Sequence, residues 1–199
     1  MEQLVHSSPL ETAERPSSPA TRRELRYWAR DLVVALVLAM VIIVFFYQPV
    51  KVEGTSMAPL LSDQERIFIN KFVYHFKPIE RGDVVVFWYP LDRSKSFIKR
   101  VVGLPGDRVV IRAGNVYVND RQLEEPYVPP QSLDMSTYGP VRVPDDMYFV
   151  MGDHRVSSND SRIFGSVPAG FIYGKAVFAY WPWNQFGTLS GLANAEIRK

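Results

Sequence analysis

The chain has 199 residues, with 23 lysines and arginines against 21 aspartates and glutamates, and a formal net charge of +2. This near-neutral balance argues against a nucleic-acid-binding protein, and the absence of cysteine excludes disulfides, thiolate nucleophiles and cysteine-ligated zinc. The three histidines, His6, His75 and His154, show no metal-ligand spacing, so we expect neither a metal nor another cofactor.

The N-terminal part of the chain predicts a tail followed by a membrane anchor. Residues 1–26 are predicted to be a disordered cytoplasmic tail, because serine, threonine, proline and glutamate dominate their first part. The apolar run 32–47, with its flanks, predicts a transmembrane helix over 27–50. A buried core helix and the apolar region of a cleaved signal peptide are the alternatives, but no small-residue cleavage site follows the run.

Flanking charge predicts the orientation of this anchor. The basic residues before the run are Arg15, Arg22, Arg23, Arg26 and Arg30, whereas those soon after it are Lys51 and Arg66. The positive-inside rule then places the N-terminus in the cytoplasm. We therefore expect a single-pass protein of the plasma (inner) membrane, in contact with the lipid bilayer, with residues 51–199 on the extracytoplasmic side.

Residues 51–199 predict one all-β, mostly antiparallel domain with a bent or barrel-like sheet. Short stretches rich in β-branched and aromatic residues alternate with glycine and proline. The predicted strands are 66–70, 83–89, 97–104, 109–111, 116–118, 147–151 and 175–181. Residues 113–115 predict a hairpin turn, and the proline-rich, acidic residues 119–146 predict a long excursion from the sheet.

A protein without cysteine needs another nucleophile, and Ser56 is the first candidate. It lies shortly after the predicted anchor, between Gly54, which permits unusual backbone angles, and Pro59, which constrains the chain. A constrained turn of this kind can present a hydroxyl to a substrate. The alternative is an ordinary solvated loop serine.

Lys99 is the second candidate, because it lies beside Arg100 in an apolar predicted strand. Strand alternation places Lys99 on one face with Phe97 and Val101, and Arg100 on the other, but it does not say which face is buried. Arginine keeps its proton in proteins, whereas a desolvated lysine gives it up and can act as a base for a serine. The alternative is a lysine that snorkels from a strand edge.

The third candidate is the polar segment 152–162, which follows predicted strand 147–151. Asp160 and Arg162 can pair with each other if this stretch is extended. Its serines can exchange hydrogen bonds with a nearby lysine. A surface turn is the alternative.

These segments together resemble the bacterial type I signal peptidases (leader peptidases), the membrane-anchored Ser/Lys-dyad proteases of family S26. The matching motifs run in order, and the resemblance covers about residues 30–180. They are Ser56-Met57-Ala58-Pro59, Arg81-Gly82-Asp83, Lys99-Arg100-Val101-Val102-Gly103 and Gly152-Asp153 on to Ser158-Asn159-Asp160-Ser161-Arg162. The resemblance implies an endopeptidase that removes N-terminal signal peptides at the outer membrane face through an acyl-enzyme. It also implies signal-peptide-bearing pre-proteins as substrates and the secretion translocon as a partner.

The resemblance further implies roles for the residues at the matching positions. Ser56 would be the nucleophile, with its backbone N–H in the oxyanion hole, and Lys99 would be the general base. Ser158 would orient the lysine, and Asp160 and Arg162 would hold their loop in place.

The substrate backbone is expected to add as a strand along two short segments. The residues of these segments are Glu53, Gly54, Thr55, Phe97 and Ile98. Some family members supply a serine hydroxyl to the oxyanion hole at the position of Gly54, and this chain lacks that donor. Trp181 and Trp183 either touch the bilayer or belong to the core and a turn.

Three alternatives to this interpretation stay open. His154 stands where the family often has asparagine, so a triad of His154, a serine and Asp153 or Asp160 is one of them. A self-cleaving repressor-type protease with the same dyad is another. The third is a membrane-anchored β-domain that binds a partner, or a degenerate homologue without activity. A distance of ~2.6–3.2 Å between Ser56 and Lys99 would favour the peptidase.

Overall fold

A computed structural model describes residues 19–183, 186–189 and 196–197 of the chain. The chain divides into two units, residues 1–43 and residues 44–199. Helix α1, Pro19–Phe46, forms the described part of the first unit and extends into the start of the second.

Helix α1 differs at both ends from the predicted span 27–50. Alanine, leucine, arginine and glutamate favour helix, so residues 19–26 are helical where the sequence predicts a disordered tail. The helix stops before Pro49, which has no N–H to donate and lies in strand β1, Tyr47–Lys51. The predicted tail residues 1–18 lie outside the described residues. In the described part of the chain, no helix combines the length and the apolar character needed to cross a membrane.

The second unit consists of β-strands and a few short helices. The strands after β1 are β2 Arg66–Asn70, β3 Val84–Tyr89, β4 Asp92–Gly103, β5 Arg108–Arg112, β6 Asn115–Val118, β7 Arg121–Glu124, β8 Tyr138–Arg142, β9 Met147–Met151, β10 Val167–Pro168, β11 Ile172–Trp181, β12 Gly187–Thr188 and β13 Glu196–Ile197. The short α-helices are α2 Val73–Phe76 and α3 Ser161–Phe164.

These strands form two sheets in which neighbours run antiparallel, as the sequence predicts. The first sheet has the order β1-β2-β11-β3-β4-β9-β10, with β12 paired to β11. The second has the order β13-β7-β6-β5-β8. Strand β11 comes late in the chain but lies between β2 and β3, so it joins the β1–β2 pair to the β3–β4 pair.

Most predicted strands agree closely with the observed ones. Strands β2 and β9 have the predicted bounds, whereas β4 begins earlier than predicted, at Asp92. The predicted hairpin closes at the pair Arg112 and Asn115. Its two turn residues, Ala113 and Gly114, both have positive φ, at 46° and 80°, as a tight two-residue hairpin turn requires.

The predicted excursion 119–146 is instead part of the second sheet. It contributes β7, which pairs with β6, and β8, which pairs with β5. Leu123 and Val143 from this stretch are buried in the apolar cluster of that sheet. The polar and proline content of these short strands hides the strand pattern. Strand β7 is held by a hairpin with β6, and β8 by pairing with the more distant β5.

The first sheet carries apolar clusters on both faces, which explains the uninterrupted apolar run of β3. Val84 and Val86 belong to one cluster, and Val85 and Phe87 belong to another. Met57, which follows Ser56, is 2% exposed and packs in the first of these clusters. The candidate nucleophile is therefore attached to the core by its neighbour.

Candidate active site

The loop that carries Ser56 is held by backbone contacts on both sides of the serine. Gly54 adopts a φ of 90°, which a side chain would make costly, and its N–H donates to Asp63 Oδ1 at 2.7 Å. Ala58 N–H donates to Thr55 O at 3.0 Å and closes a turn around the serine. The Ser56 hydroxyl is thus presented from a constrained turn, as its flanking residues predict.

Lys99 reaches this loop from β4, across 43 positions of sequence. Its Nζ lies 2.7 Å from Ser56 Oγ and donates to Ile98 O at 3.0 Å. The lysine is 4% exposed, and its Nζ lies 5.3 Å from the centre of the Phe97 ring. Lys99 is therefore a buried lysine and does not snorkel from a strand edge.

Burial makes the ammonium form of Lys99 unfavourable. Desolvation lowers the pKa of Lys99 from 10.5 to about 8, while the negative charges of Asp160 and Asp153 act in the opposite direction. A substantial fraction of the amine is consequently neutral at mildly alkaline pH. A neutral amine within hydrogen-bond distance of a hydroxyl can accept its proton.

The polar segment 152–162 packs directly against the serine loop at Gly152. A Cβ at Gly152 would overlap the Ser56 carbonyl oxygen and Ser158 Oγ, so only glycine fits this close approach. Two residues further on, the backbone N–H of His154 donates to Ser56 O at 3.1 Å. The two loops are therefore tied together at the nucleophile.

His154 does not form the alternative triad. Its Nδ1 lies 3.3 Å from Thr55 O, and its neighbour Asp153 pairs with Arg100. Asp160 pairs with Arg162. The histidine thus contacts the backbone of the serine loop and not the Ser56 hydroxyl.

Two of the three predicted supporting residues, Asp160 and Arg162, form an ion pair with each other. Asp160 caps helix α3, accepts from Gly152 N–H at 3.1 Å and pairs with Arg162 at 2.8 Å. Ser158 is different, because its Oγ is buried and has no hydrogen-bond partner in the described part of the chain. Ser158 Oγ therefore makes no hydrogen bond with Lys99 Nζ.

A buried ion pair behind the site was missed by sequence reasoning. Arg100 and Asp153 are both fully buried and make two hydrogen bonds, at 2.8 and 2.6 Å. The guanidinium also donates to Gly82 O and lies 3.9 Å from the Tyr127 ring centre. A charged residue that is buried needs an opposite charge. The position of Arg100 inside an apolar strand is therefore a sequence signal that an acidic partner should be sought.

A groove lies beside Ser56 and Lys99. It has a volume of about 490 Å³, and its two walls are residues 50–57 and residues 96–99. These walls contain the predicted substrate-strand residues Glu53, Gly54, Thr55, Phe97 and Ile98. Strand β9 pairs with β4 only from Arg100 onward, and no other described strand covers the Asp92–Lys99 edge opposite β3. That edge is free to pair with an added strand.

Ser56 also offers a backbone donor to a substrate. Among the described residues, no group accepts a hydrogen bond from Ser56 N–H. An N–H at the nucleophile itself is well placed for a developing oxyanion. Gly54 N–H, by contrast, is already bound to Asp63.

Within the described residues, no group of three or more histidine, aspartate or glutamate side chains is arranged to hold a metal ion.

Comparison with known proteins gives consistent matches along most of the chain. The family model described as "Signal peptidase, peptidase S26" matches residues 25–181. The "Probable signal peptidase I-2" of Synechocystis sp. is 39% identical over 193 residues, which are 94% of this chain and 86% of that protein. "Signal peptidase I S" of Bacillus subtilis is 37% identical over 174 residues, 82% of this chain and 93% of that protein.

A solved structure matches a smaller part. The crystal structure of a signal peptidase I from Enterococcus faecalis is 32% identical and covers 50% of this chain and 97% of that chain, with a TM-score of 0.45.

Proposed function

The chain belongs to the signal peptidase family, peptidase S26, and is a serine endopeptidase that removes signal peptides from precursor proteins; we propose that Ser56 is its nucleophile and Lys99 its general base. The observation that carries the proposal is the 2.7 Å distance between Lys99 Nζ and Ser56 Oγ. The lowered pKa of Lys99, about 8, supports the role of a base.

The reaction begins with a precursor strand bound along the free edge of β4. Ser56 Oγ attacks the scissile carbonyl carbon while neutral Lys99 takes the hydroxyl proton. The oxyanion that forms is stabilised by Ser56 N–H. The lysine ammonium then protonates the leaving amine, the C–N bond breaks, and the acyl group stays on Ser56.

Deacylation uses the same two side chains. Lys99, neutral again, removes a proton from a water molecule that attacks the ester carbonyl carbon. The C–O bond to Ser56 then breaks, and Ser56 Oγ takes the proton from the Lys99 ammonium. The residues that fix this geometry are Gly152 and His154 at the serine loop and Asp160 with Arg162 in the loop beside it.

The expected result for Ser56→Ala is loss of precursor cleavage by about 10⁴-fold or more in kcat. The full-length protein in detergent is incubated with a precursor that carries an Ala-x-Ala site, and product is quantified by electrophoresis and mass spectrometry. Ser94→Ala, which alters an exposed serine of β4, is the matched control and should retain wild-type activity. Cleavage that survives in a folded Ser56→Ala variant would rule out Ser56 as the nucleophile, and a wild type that cuts nothing would favour a degenerate homologue or a partner-binding domain.

The pH dependence of cleavage should report the titration of Lys99. Only the neutral amine accepts the Ser56 proton, so kcat/KM should rise about tenfold per pH unit at low pH and level off above pH ~8. Cleavage rates of a short peptide substrate over pH 5.5–9.5 measure this profile. Stability controls that extend ~1 pH unit beyond each end of the range check that the protein stays folded. A rate that falls as pH rises from 6 to 8 would contradict the proposed base.

We also propose that α1 anchors the protein in the plasma membrane, with the catalytic domain on the extracytoplasmic side, beside the translocon. The apolar run 32–47 and the preceding arginines support this proposal. Side chains along α1, such as Leu36 and Met40, are exposed at 60% and 67%, as lipid contact requires. Resistance to carbonate extraction and protection of the N-terminus from external protease in spheroplasts would support it, and release by carbonate would contradict it.

A further inference from the structure

The groove next to the catalytic pair continues toward an exposed aromatic surface. Ser96 lines the groove on the same strand as Lys99, and its cross-strand partner on β3 is Trp88. The Trp88 side chain is 41% exposed, although the four preceding residues of its strand are buried. An exposed tryptophan at the border of a substrate groove is available to a ligand.

Tyr173 of β11 completes this surface, which we call the aromatic platform and define as the rings of Trp88 and Tyr173. The ring centroids lie 4.9 Å apart with an interplanar angle of 32°. The Tyr173 hydroxyl donates to Ser96 Oγ at 2.9 Å, so the platform is attached to the groove wall before any ligand binds. The same two rings also line a second cavity of about 420 Å³, which leaves room beyond the platform.

The route from the free edge of β4 to the platform passes over Ser96. Register pairs Val86 with Ile98 and Trp88 with Ser96, and alternate residues share a face, so all four side chains lie on one side of the sheet. Ser96 is small and exposed, and a larger residue there would block access to Trp88. At ~3.3 Å per residue, Ser96 lies about 10 Å along β4 from Lys99.

We propose that the aromatic platform is a subsite for an apolar side chain of the precursor, about four or five residues upstream of the cut. The inference rests on the proposed function and extends it to substrate selection. The apolar segment of a signal peptide precedes its small-residue cleavage site, so apolar side chains reach the groove from the upstream direction. Aromatic rings bind such side chains by burying apolar area.

The test uses the full-length protein in detergent and two peptides with the same Ala-x-Ala site. The peptides differ only at positions four and five upstream of the cut, which hold two leucines or two serines. Wild type should cleave the leucine peptide with about tenfold higher kcat/KM. Trp88→Ala should remove this preference by slowing only the leucine peptide, and Trp88→Phe should keep most of it. Leu91→Ala removes another exposed apolar side chain, 72% exposed, and should leave the preference unchanged.

The outcomes distinguish failure of the proposed subsite from failure of the proposed roles of Ser56 and Lys99. An equal loss on both peptides in Trp88→Ala would assign Trp88 a structural role and overturn the subsite, as would a wild type without preference. The same leucine and serine pairs placed downstream of the cut should be cleaved equally, and a preference there would overturn the upstream direction. If wild type cleaves neither peptide, the proposed function itself fails.

Discussion

Replacing Lys99 by methionine should lower kcat/KM for precursor cleavage by about 10³-fold or more while leaving the protein folded. Methionine is similar to lysine in length and fills the buried space around Phe97, but it cannot accept the Ser56 proton. Loss of a general base lowers the rate by about 10²–10⁴-fold, and a side chain without a basic nitrogen leaves the hydroxyl unactivated. The measurement is steady-state cleavage of the Ala-x-Ala peptide at pH 8.5, with folding monitored by circular dichroism.

Two comparisons make the result specific. Lys95→Met changes an exposed lysine of the same strand and should leave kcat/KM within about twofold of wild type. Lys99→Arg keeps a cation that does not deprotonate and should be as inactive as Lys99→Met. Near-normal activity of Lys99→Met would show that Lys99 is not the general base.

Lys99→Met, which should lower activity, should raise the free energy of unfolding. The pKa of Lys99 is about 8 in the fold against 10.5 for an ordinary lysine, so the unfolded chain binds the proton more tightly than the native state. The free energy of unfolding is therefore lowered by the full amount below pH ~8, and this destabilisation disappears as pH rises toward 10.5. Lys99→Met should therefore be more stable than wild type at pH 7, by on the order of 3 kcal/mol, with a gap that narrows at pH 10. Denaturant unfolding at the two pH values checks the sign.

Asp153→Ala should destabilise the catalytic domain by about 3–5 kcal/mol. The substitution leaves the fully buried Arg100 without its opposite charge, and an uncompensated buried charge is costly. Urea unfolding of the full-length protein at pH 7, followed by tryptophan fluorescence, measures the change in the free energy of unfolding.

An exposed ion pair provides the matched control for this prediction. Asp120 pairs with Arg108, and both side chains are largely exposed, so Arg108→Ala should cost less than about 1 kcal/mol. The double variant Arg100→Met, Asp153→Leu should recover much of the stability, because a buried pair can be exchanged for apolar side chains. If Asp153→Ala and Arg108→Ala destabilise equally, burial does not govern the strength of the Arg100 pair.

Local patterns predicted the strands well where side chains are β-branched or aromatic. The five residues of β2 and the five of β9 fall where their composition places them. Strands β7 and β8 lack such a pattern, since residues such as Arg121 and Pro140 are poor strand formers. Strand β7 pairs with the neighbouring β6 across the turn residues Asn119 and Asp120, whereas β8 pairs with the more distant β5. Neither strand is apparent from its own composition, so both were missed within 119–146.

The candidate site shows the same division between local and long-range information. Alternation along β4 separates Lys99 from Arg100 but cannot show that both are buried, because that follows from packing on both faces of the sheet. The motifs suggested Ser56 and Lys99, yet their 2.7 Å approach depends on the whole strand order. The pairing of Arg100 with Asp153 and the absence of a partner for Ser158 Oγ among the described residues lie beyond any pattern in one sequence.

The position of β11 bears on when the protease becomes active during its synthesis. Both dyad residues have been translated once Lys99 has emerged from the ribosome, but the β1–β2 pair beside Ser56 and the β3–β4 pair that carries Lys99 are joined through β11, Ile172–Trp181. A nascent chain that ends before this strand lacks the sheet connection between the two strand pairs and retains only the contacts of Gly152 and His154 with the serine loop. Full competence for proteolysis should therefore arrive only after β11 has been translated.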